Sequence, residues 1–210
     1  GELPKLETLA LTTNASQLAD MAPQLRDAGV NSVNISLDSL QAPRFKVITR
    51  TGDLNRVLEG IDAAIAQGLD RLRLNVVVLD GLKRDEVLPL TQFALAKNIH
   101  ISFIEEMPLG QVNVGGKPLA YVSSDALHAE LSEHFCLEPL SAADTAGPSR
   151  DYLISGSATR VGFISPHSNN FCAQCNRLRI SAEGRLLMCL GNEDSIDLRA
   201  LLRSDCSDDE

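Results

Sequence analysis

The chain alternates short β-rich apolar runs with segments of helical spacing through its first half, and this rhythm restricts the fold more than any other feature. Strands are expected over residues 6–12, 32–37, 72–78 and 99–104. Between them, residues 17–28, 54–67 and 85–97 carry apolar side chains at helical spacing, as in Val57, Ile61, Ala64 and Ile65. Gly29 and Gly68 follow the first two of these helices, where a C-terminal cap belongs. The β-α-β-α order predicts an α/β fold with a parallel sheet and right-handed crossovers. The Val76-Val77-Val78 run suits a strand covered on both faces.

Polar residues gather at or near the C-terminal ends of these strands: Thr12, Thr13 and Asn14; Ser36 and Asp38; Arg73 and Asn75; Glu105, Glu106 and Met107. In (β/α) barrels that edge carries the active site, although each residue alone reads more simply as a turn former or helix cap. The same arrangement on four consecutive strands points to a site. Ser36 and Asp38 stand two apart, so an extended segment would turn both to one face.

After Met107 the rhythm breaks. A Gly-rich loop at 108–118 precedes an amphipathic helix at 123–135, with Leu127 and Leu131 on one face. Residues 141–150 read as a linker of small residues with Pro and Gly. Short strands follow near 152–154 and 160–164, and a last helix at 196–203 ends in an acidic tail. Two regions are therefore expected, 1–107 and 108–210.

The second region ends in a cysteine pattern, Cys172, Cys175 and Cys189, spaced C-x2-C-x13-C. Residues 177–180 read as a strand, Ala182-Glu183-Gly184 as a turn and 186–189 as the returning strand. A hairpin centred near residue 182 would lay Cys189 opposite Cys175 and Asn176. Three thiolates converging on one spot suit an iron–sulfur cluster or a zinc ion. A cluster held by three cysteines keeps one iron open, and an open position favours chemistry over scaffolding. Structural zinc completed by His167 or Cys206 is the alternative, and spacing does not separate the two. Cys136, at the end of the 123–135 helix, reads as core.

Arg177 and Arg179 stand at i and i+2 beside these cysteines, so both guanidinium groups leave one face of a strand. Such a pair is suited to bidentate, charge-assisted bonds with phosphate oxygens. A net charge of −9 argues against nucleic acid as a partner, so any polyanion must be held by a local basic site. No apolar run approaches the ~20 residues of a membrane span, and residues 1–4 resemble no signal peptide. Five cysteines, three of them clustered, fit metal binding in the cytoplasm better than a disulfide framework.

The stretch Gly162-Phe163-Ile164-Ser165-Pro166, running on through Phe171-Cys172-Ala173-Gln174-Cys175-Asn176-Arg177-Leu178-Arg179 to Cys189-Leu190, resembles a known motif. It is similar to the C-terminal cluster motif of the radical S-adenosylmethionine GTP 3',8-cyclases of molybdenum cofactor biosynthesis. Leu11-Thr12-Thr13-Asn14, Asn34-Ile35-Ser36-Leu37-Asp38-Ser39 and Phe103-Ile104-Glu105-Glu106-Met107-Pro108 stand in the same order as in that family. The resemblance covers nearly the whole chain. It implies a partial parallel (β/α) radical-SAM or TIM-like barrel, followed by a small cysteine-hairpin iron–sulfur region. The reaction implied is radical conversion of GTP to 3',8-cyclo-7,8-dihydro-GTP.

Cys172, Cys175 and Cys189 would then ligate a [4Fe–4S] cluster whose open iron meets the guanine ring. Thr12, Arg73, Arg177 and Arg179 would contact GTP, and Ser36 and Met107 would contact S-adenosylmethionine. Arg73 falls where the family usually carries a lysine. The resemblance also implies a downstream cyclic pyranopterin monophosphate synthase as pathway partner, and it admits a homodimer. A second, N-terminal [4Fe–4S] cluster would sit on a C-x3-C-x2-C motif, which these residues do not contain. The expectation is therefore a fragment inactive by itself. The alternative is a non-catalytic paralogue with a zinc or iron–sulfur knuckle of structural or interaction role.

Overall fold

In a computed structural model of the chain, residues 5–78, 84–106, 113–114, 117–118, 122–141, 148–169, 175, 177–189 and 194–204 are described. By contact the chain divides into two units, Gly1–Asn170 and Phe171–Glu210. In chain order the first unit contains β1 (Ala10–Thr13), α1 (Leu18–Asp27), β2 (Ser32–Ser36), α2 (Ala42–Thr49), α3 (Leu54–Ala66), β3 (Arg71–Val78) and α4 (Val87–Lys97). These are followed by β4 (His100–Glu105), β5 (Asn113–Val114), β6 (Lys117–Pro118), α5 (Ser124–Ser132), β7 (Leu137–Pro139), β8 (Ser149–Ile154) and β9 (Arg160–Ile164).

Seven of these strands form one sheet in the order β1-β2-β3-β4-β9-β8-β7. Strands β1 to β4 and β9 run parallel, as the alternation predicts. The last two strands are antiparallel. Five residues, 155–159, join β8 to β9, and so short a connection cannot make a parallel crossover. The expected boundary after residue 107 thus falls inside the first contact unit, because β9 returns to pair with β4.

Helices α1, α3 and α4 meet the sheet through one stripe each. Leu18 of α1, Val57 and Ile61 of α3 and Leu90 of α4 are buried in one cluster with Val33, Ile35, Leu74 and Phe103 of the strands. Burial of each such side chain stabilises by about 1.5–3 kcal/mol. Asp53 starts α3 by accepting the Asn55 N–H, and Ser123 starts α5 by accepting the Ala126 N–H. Gly29 and Gly68 follow α1 and α3 with positive φ, and Asn98 does the same after α4.

Strand β3 corrects one expectation. Leu72, Leu74, Val76 and Val78 are buried, whereas Arg73, Asn75 and Val77 are only half-buried and Arg71 is exposed. Only one face is fully covered by apolar packing; the other is polar. Helix α2 escaped the sequence reading because it buries Phe45 alone and so shows no apolar stripe. Strand β7 was not foreseen, and β8 only in its second half: Ser149 and Arg150 look like linker residues but pair with β9.

Gly162 of β9 is set by a close approach. A Cβ there would lie 2.2 Å from Ser149 Oγ, 2.4 Å from Asp151 Oδ1 and 2.8 Å from Ser102 Oγ. Gly162→Ala is therefore expected to destabilise the protein by roughly 1–3 kcal/mol, the usual range for overpacking. Chemical denaturation checks this; a stability within 0.5 kcal/mol of the parent, about the spread of neutral surface changes, would contradict it.

Candidate functional site

The polar sheet face is assembled by register. Thr12 pairs with Asn34, Asn34 with Arg73, and Arg73 with His100 across β1 to β4. Two residues further on, Ser36 pairs with Asn75, Asn75 with Ser102, Ser102 with Gly162 and Gly162 with Asp151. Strand alternation therefore sets Thr12, Ser36 and Arg73 on one face, opposite the helices. Thr12 and Ser36 are exposed there. Met107, expected to join them, lies outside the described residues.

Arg73 is committed to a partner that the sequence does not announce. Its Nη1 donates to Asp151 Oδ1 at 3.0 Å and to Ser102 Oγ at 2.8 Å, and its Nη2 donates to Asp151 Oδ2 at 2.6 Å. Asp151 also accepts from Ser149 Oγ at 2.5 Å and is buried. Burial raises the Asp151 pKa, but the hydrogen bonds and charge of Arg73 outweigh it, and the carboxyl ends below its ordinary value. The bidentate geometry is one that lysine could not reproduce.

Beside this pair, His100 Nδ1 accepts the Arg160 N–H at 3.2 Å. Burial first, and then the charges of Arg73 and Arg160, lower the His100 pKa to about 4. The imidazole is therefore neutral near pH 7.

At the end of β2, Asp38 works on backbone. Its Oδ1 accepts the Val77 N–H at 3.0 Å, carrying the β2–β3 pairing past the last strand residue. The shared face expected for Ser36 and Asp38 thus holds an exposed hydroxyl and a carboxylate engaged by β3. The following loop is fastened by Glu86, a buried acid that sequence reasoning missed. Its oxygens accept from Ser39 Oγ at 2.5 Å and from the Leu40 N–H at 3.1 Å, and Arg44 pairs with it at 3.2 Å. Nothing in the local pattern marks Glu86 as buried, since it sits in a charged run, Arg84-Asp85-Glu86.

Glu105, at the last position of β4, is buried as well. Its Oε1 accepts from the Ser124 N–H at 2.8 Å and Ser168 Oγ at 2.5 Å. Its Oε2 accepts from the N–H groups of His167 and Ser168, each at 3.1 Å. Burial pulls its pKa up, but these donors prevail and bring it down to about 2.

The second unit is a three-stranded antiparallel sheet, β10 (Arg179–Ile180), β11 (Arg185–Leu187) and β12 (Ser195–Asp197), with the short helix α6 (Leu198–Leu202). Ile196 and Asp197, expected as the start of the last helix, extend instead with Ser195 to pair with β11. In the hairpin, Arg179 pairs with Leu187 and Ile180 with Leu186. The Gly184 N–H closes a turn on the Ser181 carbonyl, and Gly184 takes φ 81°, the pattern of a turn followed by a one-residue bulge. That extra residue moves the centre from 182 to about 183. The ladder itself ends at Arg179 and Leu187, short of Cys175 and Cys189.

Across these ladders Arg179, Arg185, Leu187 and Asp197 share one face, and Ile180, Leu186 and Ile196 share the other. Leu178, Ile180, Met188 and Ile196 are exposed. Cys175 and Cys189 are exposed too. Arg177, through its backbone N–H and then its guanidinium, lowers the Cys175 thiol below its ordinary pKa, which favours the thiolate that binds metals. Cys172 and Cys206 lie outside the described residues. Among the described residues, no three His, Cys, Asp or Glu side chains gather around one metal position. Cys136, expected in the core, is exposed in the turn after α5. Among the described residues no helix is long and apolar enough to cross a membrane.

Comparison with known proteins gives two family matches. Residues 99–210 match the model of the Molybdenum Cofactor Synthesis C family, and residues 2–94 match that of the Radical SAM superfamily. A GTP 3',8-cyclase of Pseudomonas entomophila (strain L48) is 54% identical over 202 residues, covering 96% of this chain and 60% of the relative. A GTP 3',8-cyclase of Ectopseudomonas mendocina (strain ymp) is 51% identical over 210 residues, covering 100% of this chain and 63% of the relative. The chain thus spans 60% to 63% of the length of these two relatives.

Two outcomes are expected from the polar face. Arg73→Ala strands the buried Asp151 carboxylate and should cost about 3 kcal/mol, the lower end for breaking a buried pair. Unfolding in denaturant checks it, with the exposed Arg56→Ala as control. For His100, an unfolded chain binds a proton near pH 6.5 while the folded protein waits until about 4. The unfolded state holds more protons between those values, so His100 makes stability fall as pH drops through that window. His100→Asn should flatten that part of the stability curve; an unchanged slope between pH 4 and 6.5 would refute the assignment.

Proposed function

The chain belongs to the Molybdenum Cofactor Synthesis C family, and from that premise we propose that it is part of a radical S-adenosylmethionine GTP 3',8-cyclase. The observation that carries this reading is the 50% to 54% identity to curated GTP 3',8-cyclases over nearly all of these residues. The substrate is GTP and the product 3',8-cyclo-7,8-dihydro-GTP, which a cyclic pyranopterin monophosphate synthase would take onward in the cytoplasm. The bound groups, two [4Fe–4S] clusters and S-adenosylmethionine, would supply radical initiation and an iron open to the purine.

The residues here divide the remaining work. Cys172, Cys175 and Cys189 would hold the C-terminal cluster. One feature supports this: Arg177 lowers the pKa of the Cys175 thiol, which favours the thiolate. Arg177 and Arg179 would bind the triphosphate by charge-assisted bonds. Ser36 and Met107 would contact S-adenosylmethionine, and Thr12 and Arg73 would face GTP from the polar sheet face. Arg73 keeps its guanidinium charge, but Asp151 balances it and fixes its plane, so it would offer its remaining N–H donors rather than an unpaired cation.

Anaerobic reconstitution is expected to load about four irons per chain on the C-terminal site. Serine substitution of Cys172, Cys175 or Cys189 should abolish this, while Cys136→Ser and Cys206→Ser should not. Iron and sulfide analysis decides it; stoichiometric zinc, or a need for Cys206, would favour a non-catalytic metal knuckle.

In cluster-loaded protein that also carries the radical-generating motif, Arg177→Ala or Arg179→Ala should each remove about 1.5–3 kcal/mol of GTP binding. That is about tenfold to a hundredfold in affinity. Lysine should restore only part of it. Calorimetric titration with iron content checked for each variant provides the test, and full affinity in both alanine variants would move the substrate site elsewhere.

A further inference from the structure

Asp151 is the hidden half of its ion pair. Its side chain is 4% exposed, against 20% for that of Arg73, so a ligand on the polar face meets the guanidinium and not the acid. The seat is built from three strands. Asp151 Oδ1, on β8, accepts from Arg73 Nη1 and from the Ser149 hydroxyl, and Oδ2 accepts from Nη2. Ser102 Oγ, on β4, accepts from Nη1 as well. Ser102, Ser149 and Asp151 all crowd over Gly162 of β9, where a Cβ would lie 2.8 Å or less from each. A guanidinium carries its N–H donors in one plane. Those of Nη1 go to Asp151 and Ser102, and one of Nη2 goes to Asp151. Among the described residues the Nε–H and the second N–H of Nη2 are left over, side by side along one edge of that plane.

We infer that Asp151 is a positioning residue for the substrate: without touching GTP, it fixes the guanidinium plane of Arg73 so that the Nε–H and Nη2–H edge is presented as a fork to two acceptor oxygens of the nucleotide. This rests on the reading of Arg73 as a GTP contact. Charge and orientation act in opposite directions here. A carboxylate beside a site for a polyanion repels it, so on charge alone the loss of Asp151 should tighten binding. A carboxylate that holds two nitrogens of the fork does the reverse, because the guanidinium arrives with its plane set and little freedom remains to be lost on binding. The bond pattern favours orientation: two oxygens on two nitrogens, with a serine hydroxyl bonded to each partner, fix a plane that one contact would leave free to swing. Asparagine at 151 fits the same space but turns an NH2 toward one Nη group, so one of the two bonds is lost. Lysine at 73 keeps the charge and has no plane to fix.

The experiment titrates GTP calorimetrically into cluster-loaded protein that also carries the radical-generating motif. Asp151→Asn is expected to weaken binding about tenfold, and Arg73→Lys to weaken it by about as much although the charge is kept. The double variant, Arg73→Ala with Asp151→Asn, should bind like Arg73→Ala alone, because Asp151 acts only through Arg73. Asp20→Asn removes an exposed carboxylate paired with Arg56, matches the change in net charge, and should bind like the parent. Parental or tighter binding by Asp151→Asn, with Arg73→Ala weakened, overturns the proposal alone, and so does a further loss in the double variant. A pair of structural value only would give that first result, lowering stability in denaturant while the folded variant kept its affinity. Parental affinity in Arg73→Ala refutes the reading of Arg73 as a GTP contact, and the proposal with it. In the metal-free 210-residue chain, the Nη protons of Arg73 should give separate resonances that merge in Asp151→Asn; merged resonances in the parent overturn the proposal whatever GTP does. If Asp151→Asn does not fold, Ser149→Ala carries the comparison, with binding a few-fold weaker expected and parental binding overturning it.

Discussion

A parallel ladder joins β4 to β9, with Ile101 against Val161, Ser102 against Gly162, Phe103 against Phe163 and Ile104 against Ile164. The chain leaves β4 after Glu105 and pairs with it again only at β9, which starts at Arg160, so this ladder is what joins the second half to the first. Its odd and even positions do different things. Ile101, Phe103, Val161 and Phe163 are buried, and the two phenylalanine rings lie 6.2 Å apart. Ser102 and Gly162 face the other way, where the missing side chain of Gly162 leaves the space in which Asp151 meets Arg73.

That second face is an unusual place for charge. A guanidinium and a carboxylate are taken together out of most of their water, with two serine hydroxyls bonded to them. Desolvation makes such a pair costly to form and costlier to break, so its value lies in a defined arrangement more than in net stability. His100 is kept neutral beside it. The face thus offers hydroxyls, amides and a balanced ion pair instead of a cluster of unpaired cations. In the proposed cyclase the stronger claim on a triphosphate would come from Arg177 and Arg179.

Much of this was legible from local pattern. Strands β2 to β4 and helices α1, α3 and α4 show their periodicities, because each buries one stripe in the core. The hairpin was legible from its strand, turn and strand sequence instead, apart from the bulge at Gly184 that shifts its register. What failed was long-range. The Arg73–Asp151 bond spans 78 residues and the Glu105–Ser168 bond 63, and no local spacing encodes such pairs. Glu105 could be recognised as a polar strand end, but its four donors belong to segments read as helix and loop. Ser149 and Arg150 looked like linker because a strand whose outward residues serve a polar face lacks the apolar signal.

The hairpin of the second unit is a ribbon with two unlike sides. Arg179, Arg185, Leu187 and Asp197 stand on one, and Ile180, Leu186 and Ile196 on the other. Parity is therefore a hidden rule of inheritance for this segment. Gain or loss of one residue within either strand exchanges the sides beyond that point, turning arginine toward the apolar surface and isoleucine toward the charged one. Changes of two residues restore the sides and shift only the pairing. Descendants of this sequence can vary in length freely at loop tips, but inside these strands only in even steps.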